Sequence, residues 1–369
     1  MRILFSCIPF DRGRSGISVY MRNALAALAE AGHELTLVVE PEAAEDPAFA
    51  DFPKIVAPRF IRRPVLSMLW HLFVLPFKIS RRKYDLFYLA AANRRATAFC
   101  PVPTAAVVHD LAAHRVPGKY DGFRTLYQKK VLPFFIRRAE YPVAISEATA
   151  ADMVEFLHIR REKIIVSWNG LPVRSVSPAG TFLKRHGLEP GGYLLYISRL
   201  EHPAKNQCTL IEAYEKLPDP LTSRFRLVLG GADWHGAEVI RARASSSPLA
   251  DRILLPGFIA DEDLEDLYRG AAAYIFPSLF EGFGLSLIEA MNFGVPCACS
   301  EGSSLGELGR GAALLFDPRD ADAVADAMKR LLESSSLRAE LIEAGHIRAA
   351  QFTWRKHVER IIHAVTGGK

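Results

Sequence analysis

At 369 residues, half of them hydrophobic and 24% charged, the chain is too long for one hydrophobic core and too apolar for disorder, which predicts two folded domains with a cleft between them. Its net charge of +5 hides an asymmetry: residues 1–170 hold 24 Lys and Arg against 16 Asp and Glu, and residues 171–369 hold 22 against 25. The basic first half is therefore the one expected to meet an anionic partner.

The chain opens on "RILFSCIPF", a strand, then the glycine-bearing loop "DRGRSGIS", a helix "VYMRNALAALAEAGH" closed by Gly32, and a second strand "ELTLVV". This strand, helix, strand order has the length of a parallel crossover. Further strands are expected at 85–90, 105–110, 141–146 and 163–168, alternating with helical stretches. After a Pro, Gly and Ser-rich stretch the cycle restarts with strands "YLLYISRL", "FRLVLGG", "RILLPGF", "AYIFPS", "VPCACS" and "AALLFDP", and a helix "TWRKHVERIIHAV" ends the chain. The pattern predicts two α/β, Rossmann-like doubly wound domains, with ligands at the carboxyl ends of their sheets. The expected boundaries are 1–170 for the first domain, 171–192 for a linker, 193–350 for the second domain and 351–369 for a C-terminal helix.

Five scattered cysteines (Cys7, Cys100, Cys208, Cys297, Cys299) form no C-x-x-C pair and no zinc spacing with histidine, and read as reduced, cytoplasmic thiols. Pro9 and Asp11 cut the first apolar run short of a signal peptide.

The chemistry concentrates in "SLFEGFGLSLIEAM", Ser278 to Met291. Gly282 and Gly284 permit a sharp turn and close approach of a ligand, and the helix start near Leu285 offers N–H groups that suit a phosphate. Glu281 belongs to the loop. Glu289 falls among apolar neighbours, where a carboxylate needs hydrogen-bond donors that a sugar or ribose diol would supply. Upstream, "SRLEHPAKNQ" sets Arg199 and Lys205 just beyond a strand end, two cations fit to neutralise a diphosphate. Taken singly, two glutamates eight apart or two loop cations are ordinary surface features. "DED" (Asp261 to Asp263) and "DAD" (Asp320 to Asp322) stand where helices begin and are read as caps and not as metal ligands.

Together these segments resemble the retaining nucleotide-sugar glycosyltransferases of family 4, also described as glycosyl transferases group 1, which have the GT-B fold. The resemblance extends over nearly the whole chain, through "GISVYMRNALAALAEAGHELTLV", "VVHD", "AISEATAADMV", "WNG", "SRLEHPAKN", "PSLFEGFGLSLIEAM", "GVPCACS" and "FDPRD". It implies that Glu281 and the backbone of Gly282, Phe283, Gly284 and Leu285 hold the donor sugar and phosphate, that Glu289 holds the ribose, and that Arg199 and Lys205 hold the diphosphate. It further implies that His109 faces the donor hexose and that Gly16 leaves room for diphosphate and acceptor. His109, Arg199, Lys205 and Glu281 are thus the expected catalytic set, with no metal and no cofactor beyond the nucleotide diphosphate sugar. The C-terminal helix is expected to pack back on the first domain. Three departures stand out: Ser15-Gly16 where two glycines are common, no acid after the Asn-Gly of "NGLP", and Gly306 where proline is usual.

The segment 58–85 has an apolar centre of about fifteen residues, too short to span a bilayer, which takes ~20. Flanking arginines and lysines, with Trp70, Phe73 and Phe77, suit either a helix packed on the sheet or contact with an anionic membrane, and the basic, aromatic stretch 127–138 favours the membrane. Nucleic acid is not expected as a partner. The sequence reading is a metal-independent hexosyltransferase acting on a saccharide or lipid-linked saccharide in surface polysaccharide assembly, cytoplasmic or peripheral at the inner face of the cell membrane. Its rivals are a non-catalytic, membrane-associated subunit of the same fold and a nicotinamide-dependent oxidoreductase, the latter disfavoured because no G-x-G-x-x-G follows a first strand.

Overall fold

Short runs of Leu, Ile, Val, Ala and Tyr form thirteen strands among the described residues, and every pairing between them is parallel. The structure is a computed structural model that describes residues 1–12, 15–116, 122–172 and 181–367. The chain divides into two units, Met1–Pro172 with Phe352–Lys369, and Val173–Gln351.

Unit 1 holds β1 (Arg2–Ser6), β2 (Glu34–Val39), β3 (Lys54–Val56), β4 (Leu86–Leu89), β5 (Thr104–Val108), β6 (Tyr141–Ala144) and β7 (Ile165–Val166), in the order β3-β2-β1-β4-β5-β6-β7. Unit 2 holds β8 (Tyr193–Ile197), β9 (Arg226–Gly230), β10 (Ile253–Gly257), β11 (Ala273–Phe276), β12 (Cys297–Ser300) and β13 (Leu314–Phe316), ordered β10-β9-β8-β11-β12-β13. Helices cover parallel strands on both faces, so β4, β5, β11 and β12 are buried end to end. In each sheet the winding reverses once, between β1 and β4 in unit 1 and between β8 and β11 in unit 2. Loops leaving the carboxyl ends of strands at such a reversal diverge and leave a crevice.

The final helix, Trp354–Thr366, belongs to unit 1. Thr353 caps it, accepting from the Lys356 N–H at 3.2 Å. Its buried face is Trp354, His357, Val358 and Ile361. His357 is the pin: Nδ1 donates to the Ser167 and Trp168 carbonyls at 3.1 and 3.0 Å. Nε2 then accepts from the Tyr20 hydroxyl at 2.7 Å, and Tyr20 lies 2.5 Å from the Tyr88 hydroxyl. The glycine of "WNG" belongs to the same docking, since a Cβ on Gly170 would lie 2.2 Å from the Trp354 nitrogen.

Several elements differ from the sequence reading. Strand β3 and the helix Ser335–Ala349 were not expected. The helix buries only Leu341, Gly345 and Ala349, too sparse an apolar stripe to announce itself. Segment 58–85 is not one helix but a succession: a 3₁₀ turn at Arg59–Arg62, an α-helix at Pro64–Leu69, a π turn at Trp70–Val74 and a 3₁₀ turn at Leu75–Lys78. Part of the expected linker, residues 173–180, lies outside the described residues. Residues 181–186 are helical, with the Phe182 and Leu183 N–H groups donating to the Asp266 carboxylate at 3.1 and 3.4 Å.

Candidate functional site

The reversal point of unit 2 gathers the expected residues. Strand β8 runs into the loop that carries Arg199 and Lys205, while its neighbour β11 runs into the loop that carries Glu281. Lys205 Nζ meets Glu281 Oε1 at 2.5 Å, and each side chain is only 14% exposed. Ser278 donates to the same carboxylate oxygen at 2.8 Å, and the Tyr196 hydroxyl, at the core end of the cluster, lies 2.8 Å from Ser278 Oγ and 3.1 Å from the Lys205 carbonyl. Burial, then the charges of Glu281 and Glu201, push the Tyr196 phenol well up, so it stays a neutral O–H.

The backbone that carries these groups is clamped. Asn206, in the left-handed region at φ 59°, donates to the carbonyls of Pro277 (3.1 Å) and Pro318 (2.6 Å), tying the Lys205 loop to the end of β11. The Glu281 N–H donates to Ser303 at 3.2 Å and the Glu281 carbonyl accepts from Ser304 at 2.9 Å. Gly284 then opens the helix Leu285–Asn292 at φ 107°, where a Cβ would lie 2.6 Å from Leu305 Cδ2. No side chain caps that helix, so its first turn presents backbone N–H groups beside Glu281. Phe283 is buried beneath the turn.

Arg199 stands apart from the Lys205–Glu281 pair. Its Nη2 donates to Glu201 at 3.2 Å and its guanidinium stacks on Trp234, 4.6 Å from the ring centroid. Glu289 is 4% exposed and accepts from the Tyr268 hydroxyl at 3.0 Å. Tyr268 thus supplies one of the donors that this buried carboxylate was expected to need.

Two expected site residues belong to unit 1. Gly16 begins the helix Gly16–Glu30 behind the Ser15 cap, is exposed, and a Cβ there would meet nothing within 4 Å. Its neighbours Gly13 and Arg14 lie outside the described residues. His109 is 6% exposed just past β5, with Nε2 donating to the Ala90 carbonyl at 2.7 Å and Tyr20 packed edge-on at 4.6 Å. Burial lowers its pKa to about 4, so the imidazole is neutral near pH 7 with its lone pair on Nδ1. In this tautomer the ring offers Nδ1 as an acceptor.

The acidic pairs resolve differently from one another. Asp320 caps the helix Ala321–Glu333 by accepting from the N–H groups of Asp322 and Ala323. The "DED" segment makes no side-chain cap, and Asp263 pairs with Arg185 at 2.5 Å instead. The departure at Gly306 has a steric cause: a Cβ there would lie 1.9 Å from the Glu301 carbonyl oxygen, so no residue with a side chain fits this path of the backbone.

Tyr196, Ser278, Asn206, Ser303 and Ser304 had no assigned role in the sequence reading. The signals were faint: a tyrosine in an apolar strand, and hydroxyls in loops.

In the basic stretches one face packs inward and the other does not. Ile61, Met68, Trp70, Leu72 and Leu75 are buried, whereas Phe60, Val65, Leu69, Phe73, Val74 and Phe77 are exposed, Phe77 at 79%. Trp70, named with Phe73 and Phe77 in a segment for which sheet packing and membrane contact were both open, is a core residue. Among the described residues no helix is long and apolar enough to cross a membrane.

Two protein families match this chain: "Glycosyltransferase Family 4" over residues 14–174 and "Glycosyl transferases group 1" over residues 182–348. Among curated relatives, the O-antigen chain mannosyltransferase B of Escherichia coli is 27% identical over 389 residues, covering 99% of both chains. Among solved structures, HepE of Anabaena, in complex with UDP and glucose, aligns over 100% of both chains with a TM-score of 0.73 at 19% identity. The sucrose-phosphate synthase of Thermosynechococcus elongatus aligns over 100% of this chain and 99% of its own at 0.76, also with 19% identity. With both halves matched and the two parallel sheets wound as in these GT-B structures, the chain belongs to the family 4, group 1 glycosyltransferases.

Proposed function

We propose that this glycosyltransferase moves a hexose, mannose first among the candidates, from a nucleotide diphosphate sugar to a saccharide or lipid-linked saccharide, with retention at the anomeric carbon and without a metal. The observation that carries this reading is the Lys205–Glu281 pair, joined by Ser278 and Tyr196, at the reversal point of the unit 2 sheet. The choice of mannose and of surface polysaccharide follows the name of the E. coli relative.

In this reading the bond from the anomeric carbon to the diphosphate breaks with its electron pair leaving on the phosphate oxygen, and the acceptor hydroxyl attacks the same face while passing its proton to that departing oxygen. Lys205, Arg199 and the helix start at Leu285 are fixed positive features that stabilise the departing charge, which is the role a metal takes in other transferases. Glu281 accepts from donor-sugar hydroxyls, Glu289 with Tyr268 from the ribose, and the neutral His109 offers Nδ1 as an acceptor toward the hexose. The direct test is product formation from guanosine and uridine diphosphate hexoses, with and without a chelator. Transfer that survives chelation supports the reading; transfer restored only by added divalent cation overturns its metal-independent part.

The proposal also sets unit 1 against the anionic inner face of a membrane, through 58–85 and 127–138. Support comes from exposed Phe60, Phe73, Phe77 and Phe134 standing among exposed Arg59, Arg62, Arg63, Lys78, Lys129, Lys130 and Arg137, the mixture of aromatic and cation that an interface favours. Co-sedimentation with vesicles should require anionic lipid and fall roughly tenfold or more on Phe73→Ser with Phe77→Ser, as losing two exposed aromatic anchors implies. Equal binding to neutral vesicles would contradict it.

A further inference from the structure

The loop after β9, "GGADWHG", is fastened to the Arg199 loop at successive points. Leu200 donates to the Ala232 carbonyl at 2.9 Å, Trp234 donates to the Leu200 carbonyl at 3.1 Å, and His202 donates to the His235 carbonyl at 3.0 Å. Gly231, at φ 146°, lies so close to the Ser198 carbonyl that a Cβ would come within 1.9 Å of its oxygen. Arg241 holds Asp233 from behind, Nη2 to Oδ1 at 2.7 Å. The result is a tryptophan 56% exposed, an unusual place for an indole without a task, with its ring stacked on Arg199 at 4.6 Å. Glu201 takes one N–H of the same guanidinium from the side, and the remaining Nε and Nη1 groups have no partner among the described residues.

A guanidinium gripped on one face and one edge keeps its orientation while its other donors stay available, which is how an arginine is pre-organised for a bidentate anion. We infer that Trp234 is a positioning residue for the anion site: it holds the Arg199 plane so that the free N–H edge meets the donor's diphosphate. The inference rests on the donor site proposed above. Trp234 acts through Arg199 and touches no reacting atom, so its loss weakens donor binding more than it slows turnover. Because the other tryptophans are Trp70 and Trp354, both buried, and Trp168, half-buried, Trp234 also dominates the solvent-exposed indole emission, and diphosphate arriving at Arg199 shifts it.

The test begins with calorimetric titration of a nucleoside diphosphate into the wild-type chain, which separates the two claims: no binding there ends the donor-site reading itself. Given binding, Trp234→Ala should raise the donor KM roughly 2- to 5-fold, the range an exposed cation–π contact spans, with kcat changed much less. Trp234→Phe should recover most of the loss, and Trp234→Ala should add nothing in an Arg199→Ala background. In the wild type, diphosphate should shift the red edge of the emission, and Trp234→Phe should remove that shift. An unchanged KM in Trp234→Ala, or a full additional loss in the Arg199→Ala background, overturns the inference. If Trp234→Ala does not fold, the phenylalanine variant and the wild-type emission decide alone: an emission that ignores bound diphosphate overturns it.

Discussion

Replacing Lys205 with alanine is expected to lower glycosyl transfer roughly 10²–10³-fold, the range found when one fixed charge aimed at a developing anion is removed. Two losses combine in that figure. The ammonium no longer meets the departing diphosphate, and Glu281, 14% exposed and left with Ser278 as its remaining side-chain donor among the described residues, becomes an unbalanced carboxylate beside an anionic ligand. The second loss makes the prediction specific. A sugar-free nucleoside diphosphate should bind the Lys205→Ala, Glu281→Ala double variant more tightly than it binds Lys205→Ala alone, since the repelling carboxylate has gone. Transfer, which needs Glu281 for the sugar hydroxyls, should stay low in both. A double-mutant cycle on affinity and on rate checks this, and strictly additive effects on diphosphate affinity would contradict a functional pair.

Acidification is expected to destabilise unit 1 steeply between pH 6.5 and about 4. Three histidines are buried there without charge: His71, lowered to about 3, and His109 and His357, each lowered to about 4, in every case chiefly by burial. The sign follows from proton counting. Between the folded and unfolded pKa values the unfolded chain binds a proton that the folded chain does not, so stability is present above pH 6.5 and is lost as the pH falls toward 4. Each histidine contributes about 1.4 kcal/mol per pH unit within that window. Protonation also breaks specific contacts: His357 Nε2 would lose its role as acceptor for Tyr20, and the helix Trp354–Thr366 its pin. Denaturant midpoints measured from pH 7.5 to 4.5 should fall with this slope, and the three imidazole NMR signals should not titrate above pH 5.5 in the folded protein. Imidazoles that titrate near 6.5 would contradict the burial of these rings.

The alternation of strand and helix and the loops bearing Arg199, Lys205 and Glu281 were legible because they are local patterns: apolar runs broken by Gly, Pro and charge, at crossover spacing. What holds those side chains was not. Tyr196 reaches Ser278 across 82 residues of sequence and Asn206 reaches Pro277 across 71, and a tyrosine inside "YLLYI" reads as core until the neighbouring strand is known. Glu289 shows the same limit from the other side: the need for a donor was readable, whereas Tyr268, 21 residues away on another helix, was not. Segment 58–85 was ambiguous for a different reason. The π turn at Trp70–Val74 departs from the regular 3.6-residue helix and changes which side chains face inward, so which aromatics are buried could not be read from spacing.

The most direct measurement is calorimetric titration of guanosine, uridine and thymidine diphosphates, and of their hexose conjugates, into the wild-type chain and into an Arg199→Ala, Lys205→Ala variant. The account predicts saturable one-to-one binding of at least one nucleotide to the wild type, and its loss in the variant with the fold intact by circular dichroism. Binding that is as tight in the variant as in the wild type would contradict it.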